Sequence, residues 1–109
     1  MTREFVYTEP FRRSWKAMGL TEEDLRMLEK MLLTNPQIGD VIEGTGGARK
    51  IRIQMESRGK SGGGRVIYVD VFEAEKLYLL LAYPQNVQDD LTPDQKKQVR
   101  KLVEAIKKE

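Results

Sequence analysis

ARKIRIQMESRGKSGGGRVIYVDVFEAEKLYLLLAY, residues 48–83, is the stretch on which the fold turns. Its first part, Ala48 to Met55, alternates Ile51 and Ile53 with Lys50, Arg52 and Gln54. Alternation is the period of a half-buried strand, because successive side chains point to opposite faces. Arg65 to Phe72 is rich in β-branched residues and Leu77 to Tyr83 is nearly all apolar, so each predicts a further strand. The connections, Gly-rich at Glu56 to Gly64 and short at Glu73 to Lys76, suit hairpins. An antiparallel meander follows.

Working outward, Arg3 to Tyr7 reads as a short strand. Thr8-Glu9-Pro10 then opens a helix with Phe11, Trp15 and Met18 on one face, ended by Gly19. Thr21 is a suitable N-cap for a second helix, with Glu22, Glu23 and Asp24 in its first turn and Leu25, Leu28 and Leu32 at helical spacing. Asn35-Pro36 stops it. On the C-terminal side, Thr92-Pro93-Asp94-Gln95 is a capping box, and Val99, Leu102, Val103 and Ile106 form the apolar stripe of a last helix. The predicted order is β-α-α-β-β-β-α: a single α+β domain over residues 1–109, with the helical hairpin and the C-terminal helix packed on the sheet.

The charges are uneven. Between Gly47 and Tyr68 six basic residues (Arg49, Lys50, Arg52, Arg58, Lys60, Arg65) face one acid, Glu56, in a chain whose formal net charge is only +2. Such clustering is the footprint of a phosphate-rich or acidic partner, although a solvated charged hairpin has the same count. The chain has no cysteine, which excludes disulfides and thiolate metal sites, and no histidine, which removes the commonest general base. Catalysis must therefore run on Lys, Arg, Tyr or carboxylates. The N-terminus lacks a signal peptide's apolar stretch and the run Leu77 to Tyr83 is too short to span a bilayer, so a cytoplasmic location is the expectation.

Strand alternation puts Lys50 and Arg52 on the face opposite Ile51 and Ile53. With Arg65 pointing the same way from the neighbouring strand and Lys60 over it from the Gly-rich loop, a basic surface able to hold a phosphodiester backbone is expected. Tyr68 and Tyr78 are expected in the core, with Trp15; Tyr83, at the end of the last strand, is expected to stack on a base. Asp89, Asp90 and Asp94 are read as favourable charges at the last helix's N-terminus rather than metal ligands. Gly59-Lys60-Ser61 is not a phosphate-binding loop, since position 54 is Gln54 and a strand follows. Gly44-Thr45-Gly46-Gly47 reads as a turn leading into the strand that begins at Ala48.

Several of these segments together carry a resemblance. Asn35-Pro36, Gly39-Asp40-Val41-Ile42, the run Gly44 to Arg52, Gly59 to Gly63, Arg65 to Tyr68, Tyr78-Leu79-Leu80 with Tyr83, and Asp90-Leu91-Thr92 before a basic helix are similar to the HigB-like branch of the RelE toxin superfamily. The resemblance implies a RelE-like fold, ribosome-dependent cleavage of mRNA and neutralisation by a HigA-like antitoxin with a helix-turn-helix domain. It places the family's strand cations on Lys50 and Arg52 and its hairpin arginine on Arg65; Lys60 and Arg49 match positions of the branch. Lys50, Arg52, Lys60 and Arg65 are thus the candidate catalytic residues, and Arg49, Tyr83, Gln85 and Asn86 the candidate RNA-binding ones, with no metal and no cofactor. The family usually places a Lys or Arg two residues after the last strand's tyrosine, where this chain has Gln85. Two other readings share the fold: a ParE-like inhibitor of DNA gyrase, and an inactive protein that retains only antitoxin binding.

Overall fold

The computed structural model describes residues 2–54 and 63–109. Strands β1 (Glu4–Tyr7), β2 (Asp40–Val41), β3 (Arg49–Ile53), β4 (Gly64–Val71) and β5 (Lys76–Pro84) form one sheet in the order β1-β5-β4-β3-β2. Helices α1 (Glu9–Ala17) and α2 (Glu22–Thr34) follow β1, and α3 (Pro93–Lys107) ends the chain. The α+β class and the order of the main elements are those expected. β3, β4 and β5 pair antiparallel, so the meander is as read from the alternation. The sheet as a whole is mixed, because β1 lies parallel to β5 with Glu4 opposite Lys76 and Tyr7 opposite Leu79. β2 was not foreseen, being two residues long and so without a period to read.

Local chemistry accounts for the helix ends. Thr21 and Asp24 form a reciprocal capping box at α2, as Thr92 and Gln95 do at α3, each satisfying two backbone N–H groups that the helix cannot. Gly19, just beyond α1, has φ +72°, in the left-handed region that glycine reaches without penalty. In the β2–β3 turn the Thr45 hydroxyl donates to the Ile42 carbonyl at 2.7 Å and accepts from the Ala48 N–H at 3.1 Å. That turn is the expected one, with Gly44, Gly46 and Gly47 all at positive φ.

The sheet is covered on both faces. Phe11, Trp15, Leu28 and Leu32 from α1 and α2 pack on Ile51, Ile53, Val66, Tyr68, Leu77, Leu79 and Ala82. On the other face Val99, Val103 and Ile106 of α3 pack on Ala48, Ile67, Val69, Tyr78, Leu80 and Tyr83. β1 is shorter than β5, and α1 closes the edge this leaves: the Thr8 N–H and hydroxyl both donate to the Leu79 carbonyl, and the Ala82 N–H donates to the Ser14 hydroxyl at 3.0 Å. Those contacts satisfy groups that an open edge would present to other chains. Arg3 docks the start of β1 to β4 through Asp70, at 2.7 Å with both side chains almost fully buried. No described helix is long and apolar enough to cross a membrane.

Candidate functional site

On the face that α3 covers only in part, β3 presents Lys50 and Arg52, β4 presents Arg65, and β5 presents Tyr83. Register makes this a row: Arg52 lies opposite Arg65, and Arg65 opposite Tyr83. Two guanidinium groups directly across an antiparallel pair repel one another, an arrangement that costs stability unless an anion sits against them. Arg65 has such an anion in Asp89, and Arg52 stays in water. Asp89 Oδ1 accepts from Arg65 Nε at 3.1 Å and lies 2.9 Å from Nη2 in an ion pair, while Arg65 Nη1 donates to the Gly64 carbonyl at 3.1 Å. Arg65 is only 2% exposed. Lys50 Nζ donates to Asp90 Oδ1 at 2.6 Å and to the Asp89 carbonyl at 3.3 Å. Arg52 is exposed and has no ion pair among the described residues. Lys50, Arg52, Arg65 and Asp89, with Ile38, Gly39, Asp40 and Ile51, line a cleft of about 270 Å³.

The far wall of the cleft is backbone. The buried Gly39 N–H donates to the Tyr68 hydroxyl at 2.9 Å. A Cβ at Gly39 would stand 2.9 Å from the Lys50 carbonyl oxygen and 2.9 Å from Tyr68 Cε1, so the segment approaches β3 closely enough to exclude any side chain there. Burial raises the Tyr68 phenol pKa, which keeps that hydroxyl neutral.

Of the expected site residues, the sheet brings Lys50, Arg52 and Arg65 together. Lys60 lies outside the described residues. Arg49 stands opposite Tyr68 on the other face, and Nη1 donates to the carbonyls of Gly39 at 2.7 Å and Gln37 at 3.1 Å, so it staples a loop and does not face the cleft. Tyr83 is 4% exposed in the α3 core, with its hydroxyl donating to the Asp89 carbonyl at 3.0 Å. It offers no free ring face for a base. Gln85 is half-buried, its N–H donating to the Gly63 carbonyl at 3.1 Å, and Asn86 is exposed in the same turn.

The reading of the acids also changes. Asp94 sits in the first turn of α3 as expected, but Asp89 and Asp90 are turned back onto the sheet cations. Sequence reasoning missed them as site residues. The available signal was a pair of adjacent acids in a chain that also places two cations opposite one another. Lys50 holds the Asp90 carboxyl below its usual range, first through the hydrogen bond and then through its charge, with Arg65 adding to the effect.

Burial, reinforced by the charges of Asp90 and Asp89 and opposed by Arg65, pushes the Tyr83 phenol up to about 12. It is therefore protonated at neutral pH and cannot serve as a base there. Because this folded-state pKa lies above the ordinary 10.0, Tyr83 leaves stability unaffected below pH 10 and lowers it as pH rises from 10 towards about 12. Tyr83→Phe should remove that part of the alkaline loss, read as the difference between the two proteins in denaturant midpoint against pH. A phenolate absorbance step that titrates near 10 and disappears in Tyr83→Phe would show instead that the hydroxyl is open to water.

The sequence model of one family, the RelE toxin of the RelE / RelB toxin-antitoxin system, matches residues 6–109. Among solved structures, the free E. coli toxin RelE with two arginines replaced by alanine aligns at TM-score 0.57 and 18% identity, over 82% of this chain and 90% of that one. The intact E. coli RelBE toxin-antitoxin complex aligns at 0.56 and 18%, over 77% and 96%. The isolated E. coli RelE toxin aligns at 0.55 and 16%, over 94% and 99%. At these identities the structures establish a shared fold, and the family match runs through nearly the whole sequence. The chain belongs to the RelE toxin family of toxin-antitoxin systems.

Proposed function

We propose that this toxin is an endoribonuclease of the HigB-like branch that cuts mRNA on the ribosome, in the cytoplasm, and is neutralised by a HigA-like helix-turn-helix antitoxin. The observation that carries the reading is the row of Lys50, Arg52 and Arg65 along one cleft on the sheet. Cations placed at that density on rigid strands suit a phosphodiester, and arginine's planar fork matches phosphate oxygens bidentately at any working pH.

In the reaction the ribose 2′-oxygen attacks the adjacent phosphorus, its proton passes to a base, and the bond to the 5′-oxygen of the next nucleotide breaks, that oxygen taking a proton from solvent to leave as a 5′-hydroxyl and the phosphate remaining as a 2′,3′-cyclic ester. Arg65 and Arg52 are assigned to the charge that develops on the phosphoryl oxygens. Lys50 or Lys60 is assigned the proton transfer, a role that for Lys50 requires release from Asp90. Gln85 supplies no charge where the branch usually has a cation, and this favours a second reading in which the protein binds its antitoxin without cutting RNA. A ParE-like action on gyrase is the third.

Induction without the antitoxin separates the three. The expected result is growth arrest with new 5′ ends in translated mRNA, mapped by primer extension, and unchanged plasmid supercoiling. Arrest with intact transcripts and altered supercoiling would move the gyrase reading ahead, and the absence of both arrest and cleavage would favour the inactive binder.

A further inference from the structure

The chain supplies its own anions to the cleft. Asp89 takes the Nε and Nη2 edge of Arg65, Asp90 takes Lys50, and the third nitrogen of Arg65 is held by the Gly64 carbonyl. The same guanidinium edge is the one a phosphate would use for a bidentate contact, and one edge holds one such partner at a time. The two carboxylates come from consecutive residues and meet two cations of neighbouring strands, so one short backbone segment presents two anions to the cleft.

We propose that Asp89 and Asp90 form an acidic strap that stands in for RNA phosphates in the free toxin and is displaced when RNA enters the cleft. The inference rests on the ribonuclease reading and adds to it an internal competitor for the substrate.

The strap is built to leave. The Asp89 and Asp90 side chains are 60% and 82% exposed although their partners are 2% and 22% exposed, so swinging out returns two solvated carboxylates to water and uncovers the cations. The Lys50–Asp90 pair lies towards solvent and contributes little net stability, whereas the buried Arg65 keeps the Gly64 carbonyl when Asp89 leaves and requires the incoming phosphate to replace the carboxylate. The neighbouring elements are anchored without the acids. α3 is capped by Thr92 and Gln95, and the turn after β5 is closed by the N–H groups of Val87 and Gln88 on the Pro84 carbonyl. What ties the strap down besides the carboxylates is the Tyr83 hydroxyl on the Asp89 carbonyl, with Lys50 on the same carbonyl, and Gln88 on that of Asp90. Arg52, exposed and directly opposite Arg65, is left to receive an incoming phosphate before the strap moves.

The test is binding of a short single-stranded RNA with 2′-O-methyl riboses, which cannot be cut, measured by fluorescence anisotropy at physiological salt. Asp89→Asn/Asp90→Asn keeps size and hydrogen-bonding capacity while removing the competing charges. The comparison is Asp94→Asn/Glu104→Gln, which makes the same change in net charge at exposed positions of α3. The strap variant should bind RNA about five- to tenfold more tightly than the comparison variant, because the binding-competent fraction rises when the competitor is weakened. Equal affinity of the two variants, or weaker binding by the strap variant, would overturn the proposal. Asp90→Asn alone, at the more exposed of the two positions, gives a second variant with little reason to misfold and should show a smaller gain in the same direction. Arg52→Ala keeps the failures distinguishable. If it weakens RNA binding while the strap variant gains nothing, the cleft binds RNA and only the strap is wrong; if no form binds the free RNA, the strap is overturned, while the ribonuclease reading stands or falls separately on primer extension of translated mRNA.

Discussion

Arg65→Ala should lower RNA cleavage by roughly 10²–10³-fold, the usual cost of deleting one group that holds transition-state charge. The substitution also has a structural component that follows from where the side chain lies. Arg65 is 2% exposed, and its loss leaves the Gly64 carbonyl without a donor that now sits at 3.1 Å. A hydrogen bond from a charged donor of this kind contributes about 1.5–3 kcal/mol. Removing one partner of a fully buried ion pair costs more, about 3–5 kcal/mol, but the carboxylate left behind belongs to Asp89, which is 60% exposed and remains solvated. The variant should therefore fold with a lowered melting temperature, and its cleavage should be measured on translated mRNA well below that temperature. Arg65→Lys sharpens the assignment: it retains the charge but loses the fork, and should recover stability more than activity. Full cleavage by folded Arg65→Ala would remove the residue from the mechanism, and complete unfolding would make it a structural residue.

Phe11→Ala should have the largest effect on stability, about 3–5 kcal/mol, the range for emptying a buried aromatic site. Phe11 is 1% exposed, and its ring lies 5.3 Å from that of Trp15 and 6.3 Å from that of Tyr7, centroid to centroid. It thereby joins the end of β1, helix α1 and the face of the sheet on which α1 and α2 pack. Against a total stability of about 5–15 kcal/mol for a domain of this kind, that loss leaves a substantial unfolded population in the weaker half of the range. Urea titration should show a lower midpoint with an unchanged slope. A loss below about 1 kcal/mol would mean that the neighbouring side chains collapse into the space, which the rigid sheet beneath them opposes.

The two predictions draw on different levels of information. That Phe11 and Trp15 face inward is legible from their four-residue spacing on one side of a helix, and that Lys50 and Arg52 share a face follows from the period of a strand. Both are local properties, set by backbone geometry within a turn or a pleat. The capping boxes at Thr21 and Thr92 are local in the same sense, and so is the glycine-rich turn before β3. The α+β order and the row of sheet cations could accordingly be read before any coordinates.

What the periodicities do not carry is which part of a face another segment covers. Strand alternation puts Arg65 beside Arg52 but is silent about Asp89, whose contact spans 24 positions of sequence, and about Asp90, which reaches Lys50 across 40. It places Tyr83 on the cation side without showing that α3 and the strap bury it. Arg49 lies next to Lys50 in sequence yet faces the opposite side, where the nearest acceptors are carbonyls of the loop before β2. The parallel pairing of β1 with β5 is likewise set by which edge of the meander remains open and by the return path through α1, since a strand's own residues are the same whichever direction its neighbour runs. Sequence thus determined the elements, their faces and the clustering of positive charge. Tertiary structure alone decided which cations are engaged, because occupation of a site depends on contacts between segments whose meeting no local period records.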